Sequence, residues 1–266
     1  MGFDHDLCVL FFYHQCDELT KTHLASLQKS NPTAFIQPVA DSALELLPGS
    51  VDVGRFPSSF ANVSKWRSID ARLYRWFENR TINARRYVVL EYDCLCTVDL
   101  NEYYPATMEA DVVGADYFTR RANPRWQWFA DNEINQLPKD DRPFASAIVP
   151  LHCAMYSHEG LKAIVANVYK GDVFCELRLG TTVAKLGLKF QRLPVSRRST
   201  ICWHIYPWQV NRPGLFHSVK SLGHDEGKRR QPNLVGMFIH DRFRSFHPGR
   251  GFLPFYVQRK WRKLSE

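Results

Sequence analysis

Tyr87-Val88-Val89-Leu90-Glu91-Tyr92-Asp93-Cys94-Leu95-Cys96 is a run of strand-forming residues that reaches two carboxylates one residue apart and then turns apolar again. The pattern predicts a buried strand that presents Glu91 and Asp93 at its carboxyl end. In an open α/β sheet, ligands bind in the crevice at the carboxyl ends of the strands. Carboxylates are costly to bury there unless a cation or hydrogen-bond donors meet them. A divalent cation carrying a phosphorylated ligand would meet that cost, since Mg²⁺ and Mn²⁺ prefer oxygen ligands and keep sites for water and phosphate. An acid-x-acid pair alone is as readily two solvated carboxylates after a strand. The apolar runs on both sides are what turn this pair toward a cleft.

The flanking chain supports a parallel sheet. Leu7-Cys8-Val9-Leu10-Phe11-Phe12-Tyr13 is a continuous apolar run of strand length, the mark of a strand covered on both faces. Leu19, Leu24 and Leu27 repeat at helical spacing behind a possible cap at Asp17, and Asn31-Pro32 stops that helix. Residues 34–40 predict a second strand ending at Asp41, which completes a β-α-β opening with a right-handed crossover. Residues 48–64 are rich in Gly, Pro, Ser and Asn and predict a surface loop. Trp66, Ile69, Leu73, Trp76 and Phe77 form one apolar helical face, with Arg67, Asp70, Arg72 and Arg75 interleaved.

Beyond the acidic pair, residues 111–118 predict one short strand. Residues 123–141 predict a loop whose Trp126, Trp128 and Phe129 either stack on a ligand or pin the loop to the body. Residues 144–156 are apolar and strand-rich, and 159–168 are helical. Residues 171–187 predict a helix with Asp172 as cap, Glu176 in the first turn and Gly187 as the closing residue. A short strand is expected over 188–193. The last third is less regular and carries a possible strand at 234–239. Neither internal repeats nor low-complexity segments are present.

The 266 residues, 45% of them apolar, suffice for one large α/β domain with a sizeable core, and a net charge of +8 favours an anionic partner. No apolar run approaches the roughly 18 residues of a membrane span. The acidic start, Met1 to Asp6, leads straight into a strand, unlike a signal peptide. The cysteines, at positions 8, 16, 94, 96, 153, 175 and 202, are odd in number and several sit in apolar contexts, as buried thiols in a reducing compartment would. The expected location is therefore cytoplasmic. Cys94-x-Cys96 is too close for an ordinary zinc site. Walker A, G-x-G-x-x-G, H-E-x-x-H and G-x-S-x-G motifs are all absent.

With an N-terminal βαβ half followed by an acid-x-acid motif, the sequence resembles the GT-A-fold glycosyltransferases, which use a nucleotide-sugar donor. Glu91-Tyr92-Asp93 stands where that family more often has Asp first. The resemblance covers about residues 7–220. It implies an α/β fold: a GT-A-like single domain over 1–220 with a mostly parallel central sheet flanked by helices. A Rossmann-like nucleotide half would span about 1–100, an acceptor half about 101–220, and an irregular C-terminal extension 221–266. It further implies Asp93 as metal ligand and Glu91 as ribose or metal contact, with Mn²⁺ or Mg²⁺ as cofactor. Glu176-Leu177-Arg178-Leu179-Gly180 with Leu186-Gly187-Leu188 looks like the segment that bears the catalytic base of inverting members. Glu176 would be that base, though a first-turn Glu also complements a helix dipole. Gly214-Leu215-Phe216-His217-Ser218-Val219-Lys220 resembles the segment that closes the metal site, with His217 on the metal and Lys220 on the diphosphate; His240 is a rival ligand. On the same resemblance, Tyr13, Asp41, Asp70 and Tyr92 join Glu91 on the donor side, and Trp126 and Trp128 meet the acceptor. Trp203 and Trp208 are further pocket candidates. The implied reaction is inverting transfer from a nucleotide-diphosphate sugar, a UDP-sugar foremost, to a glycan or lipid-linked hydroxyl.

Two other classes remain. A pI near 9.2, tail cations at Arg259, Lys260, Arg262 and Lys263, and abundant aromatics would suit single-stranded nucleic acid, although the cations form no defined module. A non-catalytic scaffold that binds sugar or nucleotide is the other. As a helix, residues 255–264 would set Val257, Trp261 and Leu264 opposite the cations. That pattern suits either an anionic membrane surface or packing on the body.

Overall fold

The computed structural model describes residues 2–41, 45–54, 65–105, 109–201, 210 and 213–219. Lys220, His240, Trp203, Trp208 and the basic tail lie outside the described residues.

The β-α-β opening is present as β1 (His5–Tyr13), α1 (Glu18–Ser30) and β2 (Phe35–Ala40). β1 is buried from Leu7 to Tyr13, which is why it reads as an unbroken apolar run. Asp17 caps α1, its carboxylate accepting from the Thr20 N–H at 2.8 Å. A two-residue strand, β3 (Val51–Asp52), joins the sheet edge within the stretch expected as loop. The single helix expected over 66–77 is instead a 3-10 turn (Lys65–Ser68) followed by α2 (Asp70–Asn79), a tightening common at helix starts. β4 (Ala84–Glu91) then delivers the acidic motif, with Glu91 as its last residue.

The remaining elements are β5 (Leu95–Cys96), α3 (Leu100–Tyr103), β6 (Val112–Gly114), β7 (Asp116–Thr119), α4 (Asp131–Ile134), β8 (Ser146–Val149), β9 (Ala154–Ser157), α5 (His158–Asn167), α6 (Cys175–Lys185), β10 (Phe190–Arg192), α7 (Val195–Arg198) and β11 (Leu215–Phe216). Seven strands form the central sheet in the order β10-β6-β9-β4-β1-β2-β3. Pairing is parallel throughout except at β9, which runs antiparallel to both β4 and β6. The chain walks outward from β1 to β3, then returns to lay β4 on the other side of β1. The order reverses between β1 and β4, the switch point at whose carboxyl ends open α/β sheets bind their ligands.

Side chains alternate across this sheet. Cys8, Leu10, Phe12, Tyr87 and Val89 pack with the helix residues Leu73, Trp76, Leu161 and Leu177 on one face. Leu7, Val9, Phe11, Val88 and Leu90 pack with Leu24 and Leu27 on the other. Helices therefore cover both faces, as the apolar strand runs required.

Two local expectations change. Residues 111–118 hold two strands, not one: β6 pairs in the main sheet while β7 leaves to pair with β8, the switch falling at Gly114-Ala115. Asp172 does not cap α6; Phe174 occupies the cap position without a side-chain bond, and Asp172 lies 3.6 Å from the Arg67 Nε instead. The helix still begins where Glu176 falls in its first turn, and Gly187 closes it at φ +63°.

Candidate functional site

The crevice at the β1–β4 reversal gathers side chains from distant parts of the chain, and strand register explains how. β4 and β9 pair with Val89 opposite Ala154. Carried two residues further, that register sets Glu91 opposite His152, in the turn between β8 and β9. The His152 Nε2 lies 3.1 Å from the Glu91 Oε2. A second antiparallel pair acts alike: β11 and β5 meet with Phe216 opposite Leu95, so the residues after Phe216 fall beside Asp93 and Cys94. The Val219 N–H donates to the Asp93 carbonyl at 2.8 Å, and the Ser218 hydroxyl donates to the Asp93 Oδ2. The His217 Nε2 stands 3.7 Å from the Asp93 Oδ1. The His152 and His217 rings are 5.3 Å apart, centre to centre.

Glu176 reaches the same corner from the first turn of α6. It is buried, and its carboxylate accepts the Leu151 N–H, one residue before His152. Burial pushes its carboxyl up to about 8; the nearby Glu91 charge adds to the rise, against the pull of the Leu151 N–H. The close approach of α6 to β8 sets this position. A Cβ on Gly180 would lie 2.4 Å from the Ala147 Cα, so only glycine lets the helix come this near.

Burial, helped by the neighbouring His217 and Arg72, holds His152 well below its ordinary value, so the ring is neutral and able to ligate a metal. Arg72 belongs to the same crevice: it lies 3.1 Å from Asp41, which follows the last residue of β2, and both are buried.

The donor chemistry fits a divalent cation. Glu91, His152 and His217 each offer a ligand atom within 4.8 Å of the others, and Asp93, Cys94 and His217 form a second such group. The Asp93 Oδ1 and the His152 Nδ1 are buried without a hydrogen-bond partner, which is the unmet demand that a bound ion relieves.

Among the residues singled out from sequence, Glu91, Asp93, His217 and Glu176 converge here. Tyr13 ends β1 at the crevice, but its hydroxyl is within 2.7 Å of the Ser50 Oγ and accepts from the Leu47 N–H at 2.9 Å. Asp70 lies in the interior, where both its oxygens accept from Arg178 and one also accepts from the Tyr74 hydroxyl. Tyr92 is half-buried against His14, with its carbonyl 2.8 Å from the His23 Nδ1. Trp126 packs edge-on to Phe129, and Trp128 stacks on Phe174 at 4.1 Å with Arg67 over its ring. Trp126 is buried and Trp128 half-buried in these contacts. His152 and Arg72 were not singled out. A lone histidine after Pro150-Leu151 carries no local signal, and Arg72 reads as one of several cations on an amphipathic helix.

No protein-family profile matches the sequence, and a search of curated proteins finds no match. Solved structures with a similar chain path include the galactosyltransferase LgtC in complex with donor and acceptor sugar analogues (12% identity, TM-score 0.42, covering 77% of this chain and 82% of that one). Glucosyl-3-phosphoglycerate synthase from Mycobacterium tuberculosis, in complex with Mn²⁺, uridine diphosphate and phosphoglyceric acid, is 10% identical at TM-score 0.42, covering 74% and 75% of the two chains. The glycosyltransferase GlyE of Streptococcus pneumoniae is 13% identical at TM-score 0.41, covering 98% of this chain and 64% of its own. At such identities and scores, the functional reading rests on the chain's own residues.

Proposed function

We propose that the chain is a glycosyltransferase that moves a sugar from a nucleotide-diphosphate donor, a UDP-sugar foremost, to a hydroxyl of a glycan or lipid-linked acceptor, by single displacement with inversion. The observation that carries this reading is the buried Glu176, held by the Leu151 N–H next to the Glu91–His152–His217 cluster at a sheet reversal. A carboxyl with a pKa near neutrality is tuned for general-base work, and a cation-binding group beside it suits a diphosphate leaving group.

In this mechanism the donor lies at the ends of β1 and β4, near the buried Asp41 and the half-buried Tyr92. Glu91, Asp93 and His217 would hold the cation, Mn²⁺ or Mg²⁺, which when bound would supply positive charge to offset the negative charge of the departing diphosphate. Arg72, already at the crevice, offers that diphosphate a guanidinium, and Lys220 is a second cation for it. Glu176, with one oxygen fixed by the Leu151 N–H, accepts the proton of the acceptor hydroxyl as that oxygen attacks the anomeric carbon from the face opposite the diphosphate. The acceptor enters on the α6 side, near the half-buried Trp128 and the buried Trp126. Residues 1–220 act as the catalytic domain on this reading.

The deciding experiment incubates the protein with UDP-sugars, with and without Mn²⁺, and measures nucleotide release together with binding of uridine diphosphate. Metal-stimulated release is expected. Tight, salt-sensitive binding to oligonucleotides without nucleotide-sugar binding would overturn the assignment.

A further inference from the structure

Away from the acidic motif, the β7–β8 pair builds one end of a second cavity. Its register sets Thr119 opposite Ser146, so the residues leaving β7 meet those entering β8. Arg120 and Arg121 follow Thr119, while Arg142 and Phe144 belong to the 3-10 turn that leads into β8. Three guanidinium side chains thereby come to the wall of one cavity of about 610 Å³, a size in the range of small-ligand sites (roughly 300–1,000 Å³). Among the described residues no carboxylate lines it. Arg142 is already oriented: its Nε donates to the Leu137 carbonyl at 3.1 Å and an Nη to the Asn135 carbonyl at 2.8 Å. Neutral acceptors fix that guanidinium without cancelling its charge. Arg121 is exposed and pairs with no carboxylate among the described residues. Arg120 lies 2.6 Å from Asp131, but both side chains are exposed, and such pairs are worth little and exchange readily. Elsewhere Arg67, Arg178 and Arg198 each lie against a carboxylate. The rest of the wall is largely apolar. Phe144 keeps 41% of its surface exposed between Pro143 and the cavity, and the Tyr117 ring is stacked on Phe190.

From this we infer that the cavity is a second ligand site, which takes a small ring compound carrying a phosphate monoester. The phosphate meets Arg121 and Arg142, and the ring lies on Phe144. A guanidinium presents its N–H donors as a fork that matches pairs of phosphate oxygens. A phosphate monoester carries close to two negative charges at neutral pH, which suits a wall with several cations and no acid better than a single carboxylate does. The site is separate from the corner that holds Glu176. Ala184, in the cavity wall, lies about 12 Å further along α6 at roughly 1.5 Å per residue. None of the lining residues belongs to the Glu91–Glu176 corner, so this inference stands or falls independently of the transferase reading.

The probe for the test is phenyl phosphate, titrated calorimetrically into the full chain with a chelator present and about 0.15 M salt to screen loose surface binding. One saturable site is expected, with inorganic phosphate, benzoate and benzyl alcohol each about tenfold weaker or more. Arg121→Gln and Arg142→Gln should each weaken phenyl phosphate about tenfold, the loss of one charge-assisted hydrogen bond. Arg142→Lys keeps the charge without the fork and should fall between. Phe144→Ser should weaken phenyl phosphate while leaving inorganic phosphate unchanged. Arg121 and Phe144 are exposed, so their variants keep the test valid if the Arg142 variants fail to fold. Absence of saturable binding overturns the inference, as does benzyl alcohol or benzoate binding as tightly as phenyl phosphate. So does phenyl phosphate affinity that is unchanged in both Arg121→Gln and Phe144→Ser. Loss of phenyl phosphate in those two variants, with uridine diphosphate binding in Mn²⁺ unchanged from wild type, supports the second site whichever way the transfer assay falls.

Discussion

Glu176 is where residue chemistry makes the sharpest demands. Its carboxyl is pushed up to about 8 from 4.5, so it acts as a base only as pH rises through that value. Transfer is expected to climb through pH 8, and Glu176→Gln is expected to lower kcat by about 10²- to 10⁴-fold while the Kd for uridine diphosphate stays unchanged. The same shift has a stability consequence. Between pH 4.5 and 8 the folded chain keeps a proton that the unfolded chain has lost, so stability falls as pH rises through this window. Without metal, urea unfolding at pH 6 and pH 9 should show wild type losing more stability than Glu176→Gln, by about 1.4 kcal/mol per pKa unit at most. Residue identity was only partly legible here. The motif at Glu91 and Asp93 and the first-turn Glu176 stand out by context. His152 does not, because its partner is chosen by a register that only the folded sheet defines.

Among the elements, α6 carries the site and is held by two features. Arg178 and Asp70, both wholly enclosed, join α6 to α2. Replacing Arg178 with Met alone strands the Asp70 charge and is expected to cost about 3–5 kcal/mol in urea unfolding, whereas the double change Asp70→Leu with Arg178→Met should recover much of that loss. Gly180 is the second feature. Gly180→Ala must push α6 from β8, at a cost of about 1–3 kcal/mol; a fall in kcat with little change in donor affinity would show Glu176 displaced. Sequence periodicity found β1, α1, β2, β4 and α6 because each carries a strong local pattern: a continuous apolar run, the Asp17 cap, the Gly187 stop. It merged β6 with β7 because the change of sheet at Gly114-Ala115 is a tertiary event. It also gave Asp172 to the helix cap because the competing Arg67 lies more than one hundred residues away in sequence.

For the molecule as a whole, charge and ligand linkage govern behaviour. The net charge of +8 predicts that binding of an anionic nucleotide weakens as salt rises. Mn²⁺ at a hundred times its Kd is expected to add about 2.7 kcal/mol of stability, read as a rise in Tm that a chelator reverses. Among the described residues no helix is long and apolar enough to cross a membrane.

β9, the antiparallel member of the seven-stranded sheet, carries a consequence of its own for how this protein can change over time. Side chains along a strand alternate faces with a period of two. Deleting or inserting one residue between His152 and Ala154 would turn His152 away from Glu91 altogether, and a two-residue insertion there would move it a full step along the strand. This histidine cannot drift by degrees: descendants of this chain either inherit the turn length intact or must rebuild that corner of the crevice from other residues.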